Sequence, residues 1–294
     1  MANLNSYGVD RATYVGGPEV ATIVGANPYD TLLGLYETKL GIRTGFEGNN
    51  HSDIGLALEP YVLDKVSKYL GMPLQKPTFL RHKEHSFLAG SPDAFIEGAL
   101  IEAKTTAMAS VSEDAEIPEY WIVQMQYYMG LSGRTKCHLG VQLLSGNKEF
   151  FVKEFIFDKE YYDFLIDAAT NFWFEHIIKR VAPEPSNNED LKSLFPVSLA
   201  KSSNEATEEA ILAIAELKEI KINVALEYKR KEELEFIIKE AIAEKEALKS
   251  GDILLATYKS STTNRLDAKS LTREHPDLVA PYKTQSQTRR LLIK

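Results

Sequence analysis

The stretch Gly90–Thr106, GSPDAFIEGALIEAKTT, places an aspartate, Asp93, just after a Ser-Pro step. Nine residues later come a carboxylate and an ammonium separated by one residue, Glu102-Ala103-Lys104. The segment reads as two short apolar strands joined at Glu97-Gly98, within a hairpin running from about Phe87 to Thr106. If the strands pair, Asp93 and Glu102 stand near each other on one face. Two carboxylates that close repel, and one takes up a proton unless a cation sits between them. Glu102 and Lys104 share a parity and point the same way, whereas Ala103 points away and keeps its carbonyl free to face a cation.

Outward from the hairpin, the pattern predicts helices over Pro18–Gly25, Thr31–Leu40, about Ser52–Leu70, Pro118–Met129 and Lys159–Lys179. Strands are predicted over Cys137–Leu144 and Phe150–Phe157, flanking a turn at Ser145-Gly146-Asn147. The order α, β-hairpin, α, β, β, α implies an α/β (α+β) core, a mixed sheet with helices on both faces. Within Ser52–Leu70, Ile54, Leu58, Tyr61, Val62, Lys65 and Tyr69 form one stripe; Leu56, Leu63 and Val66 form a second. A helix apolar on two sides is expected to be mostly buried. Glu59 lies in the second stripe, where a carboxylate is costly unless paired or metal-bound.

The sequence changes character at Val181–Asp190, VAPEPSNNED. It divides into a core over 1–185, a linker over 186–204, a helical arm or helical hairpin over 205–250, and a basic extension over 251–294. The arm is rich in Ala, Glu, Lys, Leu and Ile, and coiled-coil packing is its expected use. Short strands are predicted at Ile253–Tyr258 and Arg289–Ile293. From Ala256 to Lys294 eight Lys/Arg stand against three Asp/Glu, a local balance of 8 − 3 = +5. That is either a solvated tail or a phosphate-contacting surface.

Of the 294 residues, 44% are hydrophobic and 26% charged, the composition of a soluble globular protein. The net charge of −8 argues against a simple nucleic-acid coat but not against an enzyme that grips phosphates locally. A single cysteine, Cys137, excludes a disulfide framework, a Cys-rich zinc site and an iron–sulfur cluster. A reducing, cytoplasmic location is expected, with no membrane-spanning stretch and no signal peptide.

Paired hard oxygen ligands suit Mg²⁺ or Mn²⁺ rather than zinc. Metal-bound water beside a lysine is a nucleophile for phosphodiester hydrolysis. The competing reading makes Glu102 and Lys104 a solvent-facing cross-strand pair. Gln124, on the apolar helix segment Tyr120–Met129, could orient a water or a ligand carboxylate, or serve as an ordinary core amide.

Together these residues resemble the PD-(D/E)xK nuclease superfamily, and more narrowly the YqaJ-type viral recombinases, the lambda-exonuclease-like alkaline nucleases. The likeness lies in Gly55–Val66 (GLALEPYVLDKV), Ser91–Phe95 (SPDAF), Ile101–Lys104 (IEAK) and Gln124–Met129 (QMQYYM), and spans roughly residues 10 to 180. It implies Asp93 and Glu102 as metal-binding acids with the Ala103 carbonyl, Lys104 as the catalytic lysine, Glu59 as the helical acid of the metal site, and Gln124 as the family's glutamine. Arg11–Thr31, RATYVGGPEVATIVGANPYDT, is similar to the family's opening segment and makes Arg11 the contact for a DNA 5′-phosphate. Pro18 stands where that family has serine. Gly16, Gly17 and the helix start after them could offer N–H groups to a phosphate.

The resemblance further implies a Mg²⁺-dependent exonuclease (Mn²⁺ as the other candidate) acting on linear double-stranded DNA ends, digesting from 5′ to 3′ and leaving 3′ overhangs. A single-strand annealing protein as partner, a homo-oligomeric ring or trimer, and a phage or prophage gene in a bacterial host are implied with it. The alternatives are a RecB-like nuclease, a non-catalytic DNA-binding recombination protein, and a protein–protein module built on Glu205–Ser250. A Cas4-like reading needs more cysteines than one.

Overall fold

The computed structural model describes residues 4–45, 48–108, 110–146, 149–284 and 288–294. The chain forms two compact units, Met1–Leu194 and Phe195–Lys294.

The first unit is built on a four-stranded sheet. Strands β3 (Ala94–Ile96) and β4 (Ala99–Thr106) pair antiparallel across Glu97-Gly98, β4 runs parallel to β5 (Lys136–Leu143), and β5 pairs antiparallel with β6 (Phe150–Ile156). Gly98 takes a φ of +77°, which the two-residue connection requires and glycine adopts without strain. The hairpin is shorter than the predicted span from Phe87. Upstream, β2 (Ala89–Gly90) pairs with β1 (Leu80–Arg81), and Leu88 bridges to Val15. Pro92 cannot donate a ladder hydrogen bond, and the break between the two pairings falls at it. The predicted turn between β5 and β6 ends at Asn147, outside the described residues.

Residue parity on β4 sorts the core into two faces. Ala99 and Ile101 join Ala94, Ile96, Val62 and Val66 on one side. Val62 and Val66 belong to α3 (Asn50–Leu70), capped by Asn49, whose side chain accepts from the His51 and Ser52 N–H groups, and ended by Gly71 at φ +66°. Gly140 of β5 makes room for α3: a Cβ there would lie 2.2 Å from Val66 Cγ2. On the other side Leu100, Leu139 and Val141 pack in a larger cluster with Val20, Met125 and Leu165. These come from α1 (Gly17–Ile23), α4 (Glu119–Ser132) and α5 (Lys159–Phe172), and α5 continues as a π-helical stretch, Trp173–Ile178. The core is therefore a mixed sheet flanked by helices, as the sequence implies.

The two-sided burial expected of α3 does not hold. Only Val62 and Val66 are buried, while Leu56 is 68% and Tyr69 66% exposed. The cluster on this face of the sheet is small, and of the remaining apolar residues of the helix it takes Leu63 and Leu70 only as partly buried neighbours.

The expected linker is partly structured. Helix α2 (Leu32–Lys39) and helix α6 (Asn188–Leu194) are joined by Thr31, which donates to Asp190 at 2.7 Å, and by Ser193, which donates to Glu37 at 2.5 Å. Asp190 also accepts the N–H and hydroxyl of Ser186, so its carboxyl is held below the usual range although burial opposes this.

In the second unit the arm is one helix, α7 (Glu208–Ile242), rather than a hairpin reaching residue 250. Residues Ala247–Ser250 form β7, paired antiparallel with β8 (Ile253–Thr257). Short helices follow at Ala268–Glu274 and Pro276–Val279, and residues 288–294 contain no strand, contrary to the expectation for Arg289–Ile293.

Candidate active site

The register of β3 on β4, Ala94 opposite Ile101, carries the pairing on to Asp93 and Glu102. Asp93 Oδ2 accepts the Ala103 N–H at 2.7 Å, a side chain replacing the next rung of the ladder. Glu102 lies on the face covered by α4 and is 0% exposed. Its Oε1 accepts from Lys104 Nζ at 2.7 Å and from Gln124 Nε2. Gln124 Oε1 in turn accepts from Lys104 Nζ at 3.1 Å, closing a three-membered ring of hydrogen bonds. The solvent-facing reading of Glu102 and Lys104 is thereby excluded: their side chains are 1% and 21% exposed.

Glu102 Oε2 is buried and meets no hydrogen-bond donor among the described residues. The electrostatics follow from this crowding. Burial, and next the Asp93 charge, push the Glu102 carboxyl up to about 8 although Lys104 opposes them. Burial also raises Asp93, against the pull of Lys104 and the Ala103 N–H. Burial alone would lower the Lys104 ammonium, but the charges on Glu102 and Asp93 outweigh it and hold Lys104 above its ordinary value. Glu59, half-buried on α3, is raised by burial and then by Asp93, with Lys104 opposing. It therefore feels the same charges as the two strand acids.

No cluster of three or more His, Cys, Asp and Glu placed to hold a metal ion occurs among the described residues. The donors that come together are the two carboxylates of Asp93 and Glu102, one oxygen of which has no partner. A buried carboxylate oxygen without a partner is rare and costly. A hard divalent cation satisfies such an atom, so the residues present fit one.

Arg11 is exposed in a short 3-10 turn, Arg11–Thr13, and its guanidinium makes no hydrogen bond or ion pair among the described residues. It lies close enough to Lys39 to help lower the Lys39 ammonium, after burial as the main cause. Lys39 itself, 1% exposed along its side chain, donates to the Arg11 and Tyr14 carbonyls and to both Glu19 oxygens at 2.7 Å. Glu19 Oε2 also accepts the Gly16 N–H at 2.7 Å. This buried lysine fastens the segment from Arg11 to Gly17, and sequence reasoning missed it. The available signal was a lysine closing the otherwise apolar Leu32–Leu40 run. Gly17 was read only as an N–H donor, yet a Cβ there would lie 2.8 Å from Gln124 Cγ and 2.9 Å from Tyr128 Cζ.

The site joins a mixed sheet with an aspartate before one strand, Glu-Ala-Lys within the next and a helical glutamine bonded to the last two. Residues 6–135, which contain Asp93, Glu102, Lys104 and Gln124, are matched by the model of the YqaJ-like viral recombinase domain. Over 296 residues it is 28% identical to "Uncharacterized protein YqaJ" of Bacillus subtilis (strain 168), covering 97% of this chain and 92% of that one. Among solved structures it is similar to the alkaline exonuclease LHK-Exo of Laribacter hongkongensis in complex with dAMP, at 19% identity and a TM-score of 0.49, over 57% of this chain and 90% of that one. A phage-related exonuclease from Haemophilus somnus 129PT is similar at 16% identity and a TM-score of 0.44, over 57% of this chain and 96% of that one. No helix among the described residues is long and apolar enough to cross a membrane.

Proposed function

We propose that this chain is a metal-dependent DNA exonuclease of phage-type recombination. It hydrolyses phosphodiester bonds at the ends of linear duplex DNA, from 5′ to 3′, and leaves 3′ overhangs for an annealing protein. The observation that carries the reading is Glu102 Oε2, a buried and unpartnered carboxylate oxygen beside a second acid and a lysine. Mg²⁺, with Mn²⁺ as the other candidate, fits Asp93, Glu102 and the Ala103 carbonyl, with Glu59 as the acid contributed by α3. Such an ion, when bound, acidifies a water and neutralises charge on the phosphate.

The protein's own groups do the positioning. Gln124 bonds Glu102 and Lys104 together and fixes both rotamers. Lys104, kept protonated by its neighbours, is a fixed cation and donor for a water or a phosphate oxygen. Arg11, whose guanidinium has no partner among the described residues, is the proposed contact for a 5′-phosphate. A ring-shaped homo-oligomer belongs to the same proposal, and it rests on the family likeness.

Incubating the purified chain with linear duplex and Mg²⁺, with and without chelator, tests the reading. A time course on DNA labelled at one 5′ end reads the polarity, and calorimetric titration with Mn²⁺ reads the ion independently of turnover. Asp93→Ala should lose both cleavage and ion binding. Arg11→Ala should weaken the preference for 5′-phosphorylated ends. Full, chelator-insensitive activity in Asp93→Ala would overturn the assignment.

A further inference from the structure

Tyr29 is 75% exposed, yet the backbone beneath it is held on both sides. Pro28 has a fixed φ, and Asn27 Oδ1 accepts the Tyr29 N–H at 3.0 Å. Asn27 Nδ2 donates to Thr22 Oγ1 at 2.8 Å, and the Asn27 N–H bonds the Ala21 carbonyl of α1. A single exposed tyrosine needs no explanation. This one heads a row. Its ring meets that of Tyr120 edge to face, 5.9 Å between centroids, and Tyr120 meets the buried Trp121 at 5.8 Å. The Tyr120 hydroxyl reaches Met108 Sδ at 4.0 Å, and Met108 is 39% exposed. Tyr120 lies one turn before Gln124 on α4, so the two share a helix face, and Gln124 bonds Lys104. The row therefore borders the site described above. Burial and the Tyr29 hydroxyl push the Tyr120 phenol up to about 12, which keeps that ring neutral. The neighbouring acid, Asp30, is paired with Arg43 at 2.7 Å.

We propose that Tyr29, backed by Tyr120 and Met108, stacks on an unpaired nucleobase of the DNA strand whose phosphate Lys104 holds. The inference rests on the nuclease reading and narrows its substrate to DNA ends with a base out of the duplex stack. Two chemistries side by side select the occupant. Aromatic faces and a polarisable sulfur take a flat, uncharged π system, whereas the fixed ammonium next to them takes an anion. A nucleotide carries both, joined through one sugar, and base–aromatic stacking accepts any base because each has a π face. An apolar peptide side chain would fill the row but leave the ammonium without an anion. A base inside a duplex has both faces covered by its neighbours, so the one that reaches Tyr29 has left the stack. The ordered turn under Tyr29 serves this use, since the ring is positioned before the base arrives.

Fluorescence anisotropy of the full chain on dye-labelled duplexes tests it, with Ca²⁺ supplied as a hard oxygen-seeking ion. The duplexes end either fully paired or with the last three pairs mismatched. The wild type should bind the mismatched end more tightly. Tyr29→Leu should weaken that binding about tenfold and erase the preference, whereas Tyr29→Phe, which keeps the flat ring, should retain both. An abasic nucleotide is then walked through the three unpaired positions. At one of them the wild type should lose as much as Tyr29→Leu does, and the two changes together should cost no more than either alone, because both remove the same contact. A wild type that cleaves DNA in Mg²⁺, but whose Tyr29→Leu variant binds mismatched ends equally well or loses the same factor with and without the base, would overturn the stack and keep the nuclease reading. The expected binding pattern without cleavage in Mg²⁺ would keep the stack and sink that reading. Absence of DNA binding by the wild type would overturn both.

Discussion

Two glutamate–lysine pairs in this protein differ in little but their surroundings. Glu102 and Lys104 pair at 2.7 Å with side chains 1% and 21% exposed. Glu235 and Lys239 pair at 3.0 Å on α7 with side chains 42% and 45% exposed. On the helix, hydrogen bonds from Lys239 and Lys231 hold the Glu235 carboxyl below its ordinary value, as water-solvated partners do. In the sheet, burial reverses the sign and drives the Glu102 carboxyl upward despite its lysine. The same two side chains thus make a solvated surface pair in one place and a buried, crowded cluster in the other. Only the second leaves a buried carboxylate oxygen without a partner among the described residues.

The largest expected effect tests that difference. Lys104→Ala should cut nuclease turnover about a thousandfold while circular dichroism stays native, since it removes a fixed charge from a dry site. Next comes the other buried lysine. Lys39→Met strands the Glu19 carboxylate and the Arg11 and Tyr14 carbonyls, and should cost about 3 kcal/mol in urea unfolding. Gly140→Ala should cost about 2 kcal/mol and lower the melting temperature, because its methyl group meets Val66 and must displace α3. Gly17→Ala pushes on Gln124 rather than on the core, so turnover should fall about tenfold in duplex digestion with a melting temperature near wild type. Lys239→Ala should leave the thermal midpoint unmoved. A clear drop there would erase the contrast between the two regions.

Much of the fold is legible in local pattern. The Glu97-Gly98 turn, the parity of Glu102 and Lys104, and the strands on either side of Ser145-Gly146 follow from alternation and turn chemistry, and each forms. The misreadings arise where burial is decided by a distant partner. The apolar stripes of Ser52–Leu70 predict a buried helix, yet the sheet fully buries only Val62 and Val66. The polar run VAPEPSNNED reads as a linker, but Asp190 finds the Thr31 hydroxyl 159 residues away and draws α6 into the first unit. Lys39 carries no local signal of burial, yet Glu19 and two carbonyls close around it.

The chemistry of the site is therefore local: which side chains alternate, and which carboxylates and amine share a strand face, are set by the period of a β-strand. The tertiary structure decided the rest. It alone determined that Glu102 is sealed from water with one oxygen unmet, that Gln124 closes the ring and that Lys39 lies inside. Desolvation depends on residues far apart in the chain arriving at the same place, and no local pattern encodes that arrival.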